Sequence, residues 1–148
     1  GAEDQQARDD LRARAAFTLG VLGGEKALDE LAIICSDGHP NARFNAATGL
    51  ARNGDMRAER VLLQMLDPTD EDVVRGEDAD QPSGIAWKRL VMINALESVE
   101  RLAEQNPDAD LSKLKAAVDN LVTADLDRLI ADRIRTQARE LQIRLEAR

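Results

Sequence analysis

The stretch "RARAAFTLGVLGG", residues 12–24, decides the fold because the chain repeats it in altered form as "RFNAATGLARNGD", residues 43–55. Each copy places an Ala pair and a leucine at spacings of three and four residues, which is the period of one face of an α-helix. Each copy then contains glycine, whose left-handed backbone ends a helix. We therefore expect each copy to form a helix followed by a tight turn.

The two copies are related by a constant offset of 31 residues, which aligns Arg12 with Arg43. The offset continues beyond the glycines, where Leu31 aligns with Leu62. A period of about 20 to 50 residues indicates a solenoid in which each unit buries its apolar side against the next. The chain also has no Tyr, two Phe and one Trp, although strands favour aromatic residues. We predict an all-α fold, an α-α superhelix of about three helix pairs with a long C-terminal helix.

The first copy resembles the HEAT-like repeats first associated with phycobilisome lyase subunits, with the pattern Arg-x-x-Ala-Ala-x-x-Leu-Gly-x-Leu-Gly. The second copy departs from this pattern at Ala51 and Asn53. The resemblance covers roughly residues 8–66 and implies an armadillo-like, right-handed stack of helix pairs that serves as a binding scaffold. The matching residues are Arg12, Ala15, Ala16, Leu19, Gly20, Leu22 and Gly23 in the first copy, and Arg43, Ala46, Ala47, Leu50, Gly54 and Asp55 in the second.

We predict one HEAT-like domain with repeat units at about 8–37, 39–66 and 84–123, followed by a C-terminal helix at 125–147. The second and third units are separated by an acidic loop at 67–83. A connection of this length inside a compact domain is either functional or disordered.

Apolar spacing predicts the buried side of each helix. In the first helix, Ala15, Ala16, Leu19 and Leu22 share a face, and Phe17 and Phe44 are expected to pack in the core or between repeats. The apolar face of the last helix is expected to pack inside the chain or against a second copy, which makes a homo-oligomer through this helix an open alternative. The predicted core of the later helices is Leu90, Ile93, Leu96, Val99 (or Glu100), Leu102, Leu111, Leu114, Ala117, Val118, Leu121, Leu126, Ile130, Ile134, Ala138, Leu141 and Leu145.

The net charge of −8 opposes binding to nucleic acid, because phosphates repel an acidic surface. No apolar run reaches the roughly 18 residues of a membrane helix, so we predict no membrane span within this chain. The lone Cys35 forms no internal disulfide and is expected to be a small buried hydrophobe. The compartment stays unassigned, since the chain begins with Gly and could be part of a longer protein.

Residue types typical of catalysis or metal binding do not combine into a site. His39 is the only histidine, and its place in a turn favours a helix cap or loop role. Asn106, Asp108 and Asp110 have the first spacings of an EF-hand loop, but the required glycine and the bidentate glutamate are missing. We predict no catalytic residue, no cofactor and no metal.

Six residues are candidates for contact with a partner. Tryptophan is enriched at binding hot spots, and the alternative for Trp87 is that its ring covers the end of the repeat core. Three arginines of the last helix share a face that is either solvated or receives the acidic loop or an acidic partner. Two more lie on the second helix of the second unit, where a solenoid exposes a groove. The candidates are Trp87, Arg128, Arg135, Arg139, Arg57 and Arg60.

Three functions are compatible with this sequence. The first is a non-enzymatic module that binds a protein or peptide partner. The second, which rests on the family resemblance alone, is an accessory subunit of a bilin lyase-type enzyme, and the scarcity of aromatic residues opposes it. The third is a nucleic-acid-binding HEAT-like protein, which the acidic charge opposes.

Overall fold

The structure is a computed structural model that describes residues 1–75 and 78–148. Within these ranges all regular secondary structure is helical, which confirms the all-α prediction. The chain divides into two compact units, Gly1–Val61 and Leu62–Arg148, which we call unit 1 and unit 2. The division into repeat units made from the sequence stays a prediction.

Unit 1 contains both copies of the sequence repeat, each folded as a helix pair. The first copy forms α1 (Ala2–Leu22) and α2 (Glu25–Ile34). The second copy forms α3 (Pro40–Arg52), a 3-10 turn (Met56–Ala58) and α4 (Glu59–Met65), which extends into unit 2.

Glycines turn the chain between the helices of each pair, as predicted. Gly23 and Gly24 have φ angles of 68° and 87°, and Gly54 has a φ angle of 73°. Asn53, which precedes Gly54, is outside the left-handed region, with a φ angle of −95°. The side chain of Asn53, rather than its backbone, contributes to the structure by joining α3 to α1. The Asp55 side chain accepts a hydrogen bond from the Arg57 amide and caps the 3-10 turn.

The first helices of the two pairs, α1 and α3, cross where each carries a glycine. A Cβ atom placed on Gly20 would lie only 2.7 Å from the Cα of Gly49. Side-chain amides hold the two helices together: Asn45 donates to the carbonyl of Ala13 at 3.1 Å, and Asn53 donates to the carbonyl of Gly20 at 2.9 Å. The buried side of α1 therefore consists of Ala13, Ala16 and Gly20.

The predicted buried face of α1 is wrong by about one residue in register. Ala15 is exposed, and Leu22 is 74% exposed, whereas Ala16 is fully buried. Phe17 was expected in the core or between repeats; it is 56% exposed and so lies outside the core, and the guanidinium of Arg52, a residue of the second repeat, is 5.6 Å from its ring centre. The physical reason is that other helices of unit 1 cover only one side of α1, so its opposite apolar side faces solvent.

Unit 2 is built on three helices: α5 (Pro82–Gln105), α6 (Ser112–Thr123) and α7 (Arg128–Glu146). α7 packs against both α5 and α6. All six residues of the predicted apolar stripe are at most 8% exposed, which confirms the stripe; five of them lie in α7 and Leu126 lies just before it. Because this stripe is covered within the chain, a homo-oligomer through α7 would have to use the other side of the helix. The six residues are Leu126, Ile130, Ile134, Ala138, Leu141 and Leu145.

Three details of unit 2 differ from the sequence prediction. Leu90 is 51% exposed, because the buried side of α5 is centred on other residues such as Ala95 and Leu102. α5 begins at Pro82, so the acidic loop ends at residue 81 rather than 83. α7 begins at Arg128 rather than at residue 125, since the backbone before Asp127 is not helical.

Candidate functional site

Residues of the two repeats meet on an exposed surface formed by α2 and by the turn that leads into α4. We call this surface the second-helix face and define it by Asp29, Ile33, Arg57 and Arg60. The Arg57 guanidinium binds the Asp29 carboxylate at 3.0 Å and the Asp55 carboxylate at 2.7 Å. Hydrogen bonds to these two carboxylates raise the pKa of Arg57, and the bond from Arg57 holds the pKa of Asp55 below its ordinary value. The first repeat is therefore tied to the second through Asp29.

Arg60 provides a second tie between the repeats. Its guanidinium donates a hydrogen bond of 3.1 Å to the backbone carbonyl of Cys35. The Cys35 side chain is buried, as predicted, and burial raises the pKa of its thiol to about 11. A thiol with such a pKa stays protonated and is a poor nucleophile at neutral pH.

Ile33 is the large apolar side chain of this face. It is 67% exposed and lies one helical turn after Asp29 on α2. Residues four apart in a helix are surface neighbours. Ile33 is therefore a surface neighbour of Asp29, the residue of α2 that Arg57 binds, and the sequence analysis did not single it out.

Trp87 anchors the acidic loop of unit 2. Its indole N–H donates to the carbonyl of Asp72 at 2.8 Å, and the guanidinium of Arg75 lies 4.0 Å from its ring centre. The loop is further fixed by Val73, which is fully buried. Part of the polar and aromatic surface of Trp87 is thus used within the chain. Its role in binding a partner stays a prediction.

The three candidate arginines of α7 differ in their surroundings. Arg135 is partly buried and donates to the carbonyl of Ala124 at 3.0 Å, where it binds the end of α6. Arg128 and Arg139 are exposed. Binding of an acidic partner by these arginines stays a prediction.

No group of three or more His, Cys, Asp or Glu side chains is placed to hold a metal ion within residues 1–75 and 78–148. His39 occupies the cap position before α3, as the sequence suggested, and its Nδ1 lies 3.7 Å from the Asp9 carboxylate. In the same described ranges, no helix combines the length and the apolar character needed to cross a bilayer.

The arginine that begins each sequence copy has a structural role that the sequence analysis missed. Arg12 binds the carboxylate of Asp37 at 2.8 Å, and the buried Arg43 donates to the backbone carbonyl of the same residue at 2.9 Å. Asp37 lies in the turn between the two repeats, and its carboxylate also accepts from the amide of His39 at 2.8 Å. Equivalent arginines of both repeats thus converge on one residue.

A sequence profile of the HEAT repeats matches residues 4–79, which is more than half of the chain. This chain belongs to the HEAT repeat family. The match includes both helix pairs of unit 1, whereas α5, α6 and α7 lie outside it. No curated protein and no solved structure matches the chain. HEAT repeats are generally non-enzymatic scaffolds for protein interaction, and a specific likeness to phycobilisome lyases stays a prediction.

Asp37 lies in the turn between the two HEAT repeats, where Arg12 and Arg43 both contact it. This residue makes the stability of unit 1 depend on pH. Partial burial disfavours the Asp37 carboxylate, but hydrogen bonds from the His39 amide and from Arg12 outweigh it and lower the pKa of Asp37. A lowered pKa in the folded state stabilises the fold above the unfolded value of about 3.9, and this stabilisation is lost as the pH falls below that value.

We therefore expect Asp37→Asn to lower the free energy of unfolding at pH 7 by about 1 kcal/mol, because Arg12 is partly exposed and its ion pair is weakened by solvent. Between about pH 5 and pH 3 the variant should lose less stability than the wild type. Urea unfolding followed by circular dichroism at several pH values measures both effects. Asp10→Asn, on the exposed side of α1, is the control for the loss of one carboxylate, and its free energy of unfolding at pH 7 should be within about 0.5 kcal/mol of the wild type. Parallel pH curves for Asp37→Asn and the wild type would contradict this role.

Proposed function

We propose that this HEAT repeat chain is a non-enzymatic interaction module that binds a protein or peptide through the second-helix face of unit 1. The observation that carries the proposal is the exposure of Ile33, an apolar side chain one helical turn after Asp29, on the face where Arg57 and Arg60 tie the two repeats together. Side chains that are held in place before binding lose less conformational entropy when a partner arrives.

The charges of this face indicate the chemistry of the partner. Arg57 is already paired with two carboxylates, so its main contribution is to position Asp29 next to Ile33. The contact of Arg60 within the chain is a neutral carbonyl, and its positive charge can attract a carboxylate of the partner. We therefore propose a partner segment with an apolar side chain next to an acidic residue.

The alternatives named from the sequence have less support. The net charge of −8 repels nucleic acid, and no observation on the described residues favours a bilin. We propose no cofactor and no nucleic-acid partner.

The proposal is tested by placing a photo-crosslinking amino acid at position 33 and irradiating the chain in a lysate of its native organism. We expect one protein to be crosslinked at position 33 and not at position 143, which holds a comparably exposed isoleucine on α7. The adduct should disappear when Arg60→Glu is added and should persist with Arg139→Glu. A crosslink that appears equally at positions 33 and 143, or that survives Arg60→Glu, would contradict the proposed face.

A further inference from the structure

The turn that ends α3 contains Asn53 followed by Gly54, the only Asn-Gly pair in the sequence. In such a pair the backbone nitrogen of the glycine can attack the side-chain carbonyl carbon of the asparagine, because glycine has no side chain to hinder the approach. A carbon–nitrogen bond forms, the side-chain amide leaves as ammonia, and the product is a cyclic succinimide. Water then opens the ring to aspartate or isoaspartate. The other asparagines precede Ala, Leu or Pro, so their following residues are bulkier or have no N–H.

The side chain of Asn53 joins the two repeats as a hydrogen-bond donor. Its amide nitrogen donates to the carbonyl of Gly20 on α1 at 2.9 Å and to the carbonyl of Gly49 on α3 at 2.8 Å. Its amide oxygen lies beside Gly23, where a Cβ atom would come within 2.8 Å of it. Each hydrogen of the Asn53 amide group therefore has its own acceptor, and Gly23 leaves room for the oxygen.

We propose that Asn53, followed by Gly54, is a deamidation site whose product loosens the contact between α1 and α3. An ionised aspartate or isoaspartate has only acceptors, whereas the asparagine amide group is a donor. In the aspartate product a carboxylate oxygen replaces the donating nitrogen and faces the carbonyl oxygens of Gly20 and Gly49. Two hydrogen bonds are lost, and atoms of like partial charge meet in their place. Deamidation therefore weakens the junction of the two repeats.

The isoaspartate product also breaks the turn that ends α3. The amide of Gly54 donates to the carbonyl of Ala51 at 3.0 Å, and the amide of Asp55 donates to the carbonyl of Leu50 at 2.9 Å. Together these two bonds form a Schellman motif, which closes the end of the helix. Isoaspartate continues the main chain through the side chain of residue 53 and so adds one methylene group to the backbone. The two hydrogen bonds then lose their register.

The folded junction protects this site from the reaction that would break it. The attacking nitrogen, that of Gly54, is held in its hydrogen bond to Ala51. The leaving nitrogen, that of the Asn53 side chain, is held by two carbonyls. The reaction therefore proceeds from molecules in which the contact between α1 and α3 has opened locally, and such openings have a free-energy cost of their own. Once the amide is lost, the opening can no longer be fully reversed.

Peptide mass spectrometry of the chain incubated in mildly alkaline buffer measures the rate, because replacing the side-chain nitrogen by oxygen raises the mass. In the urea-unfolded chain we expect Asn53 to deamidate faster than Asn41. In the folded chain Asn53 should react at least about tenfold more slowly than in the unfolded chain. Gly20→Ala should speed the reaction in the folded chain, because its Cβ would push α1 away from α3, and Gly38→Ala is the matched control that should leave the rate unchanged. Circular dichroism establishes conditions in which both variants are folded.

Asn53→Asp reproduces the aspartate product and tests its consequence. We expect this variant to unfold at a lower urea concentration than the wild type, because two backbone carbonyls lose their donor. Asn41→Asp makes the same change in the first turn of α3, where a negative charge suits the positive end of the helix dipole, so its urea midpoint should not fall. Equal rates at Asn53 in the folded and unfolded chain would overturn the proposal. Equal rates at Asn53 and Asn41 in the unfolded chain, or equal midpoints for the two Asp variants, would overturn it as well.

Discussion

Gly20→Ala is expected to lower the free energy of unfolding of unit 1 by about 2 kcal/mol or more, despite the higher helix propensity of alanine. The added Cβ would lie 2.7 Å from the Cα of Gly49, well inside the normal contact distance. Because both contacting groups belong to helix backbones, the clash cannot be relieved by rotating a side chain. α1 and α3 must move apart, which weakens the hydrogen bond from Asn53 to the carbonyl of Gly20. Urea unfolding followed by far-UV circular dichroism measures the loss.

Two variants calibrate this result. Gly38→Ala is the control, because a Cβ at Gly38 meets no atom within 4 Å and its backbone does not require glycine. Its effect should be within about 0.5 kcal/mol. Gly49→Ala should destabilise less than Gly20→Ala, since its Cβ would lie 3.0 Å from the Cα of Gly20. Equal stability of Gly20→Ala and Gly38→Ala would show that the helices separate at little cost and would refute the close-packing argument.

The features that could be predicted from the sequence are local or periodic. Gly23 and Gly54 end their helices through a backbone conformation that glycine adopts most easily. The apolar stripe predicted for the last helix follows a helical period, and every predicted member is buried, including Leu126 just before α7. Periodicity identifies an apolar face of this kind because it depends on the helix alone.

The features that were missed depend on which elements meet in space. The period places apolar residues on more than one side of α1, and the structure alone decides that Ala16 is covered while Leu22 is not. The contact of Arg12 with Asp37 joins residues 25 apart in sequence. The repeat pattern shows that Arg12 recurs as Arg43, but it does not indicate that Arg12 binds Asp37. Ile33 likewise looks like an ordinary core residue of α2 until its exposure is known.

Ile134→Ala is expected to lower the free energy of unfolding of unit 2 by about 3 kcal/mol, within the range of 2 to 5 kcal/mol for a large aliphatic core residue changed to Ala. Ile134 is fully buried where α7 packs in unit 2, so the variant loses apolar contacts and leaves a cavity. Trp87, the only tryptophan of the chain, lies in unit 2, and its fluorescence during urea unfolding reports this loss. Ile143→Ala makes the same change on the same helix at a residue that is 67% exposed, and its effect should be within about 0.5 kcal/mol. Similar losses for the two variants would mean that α7 does not bury its apolar stripe in solution, and would reopen that stripe as a surface for association with a second copy.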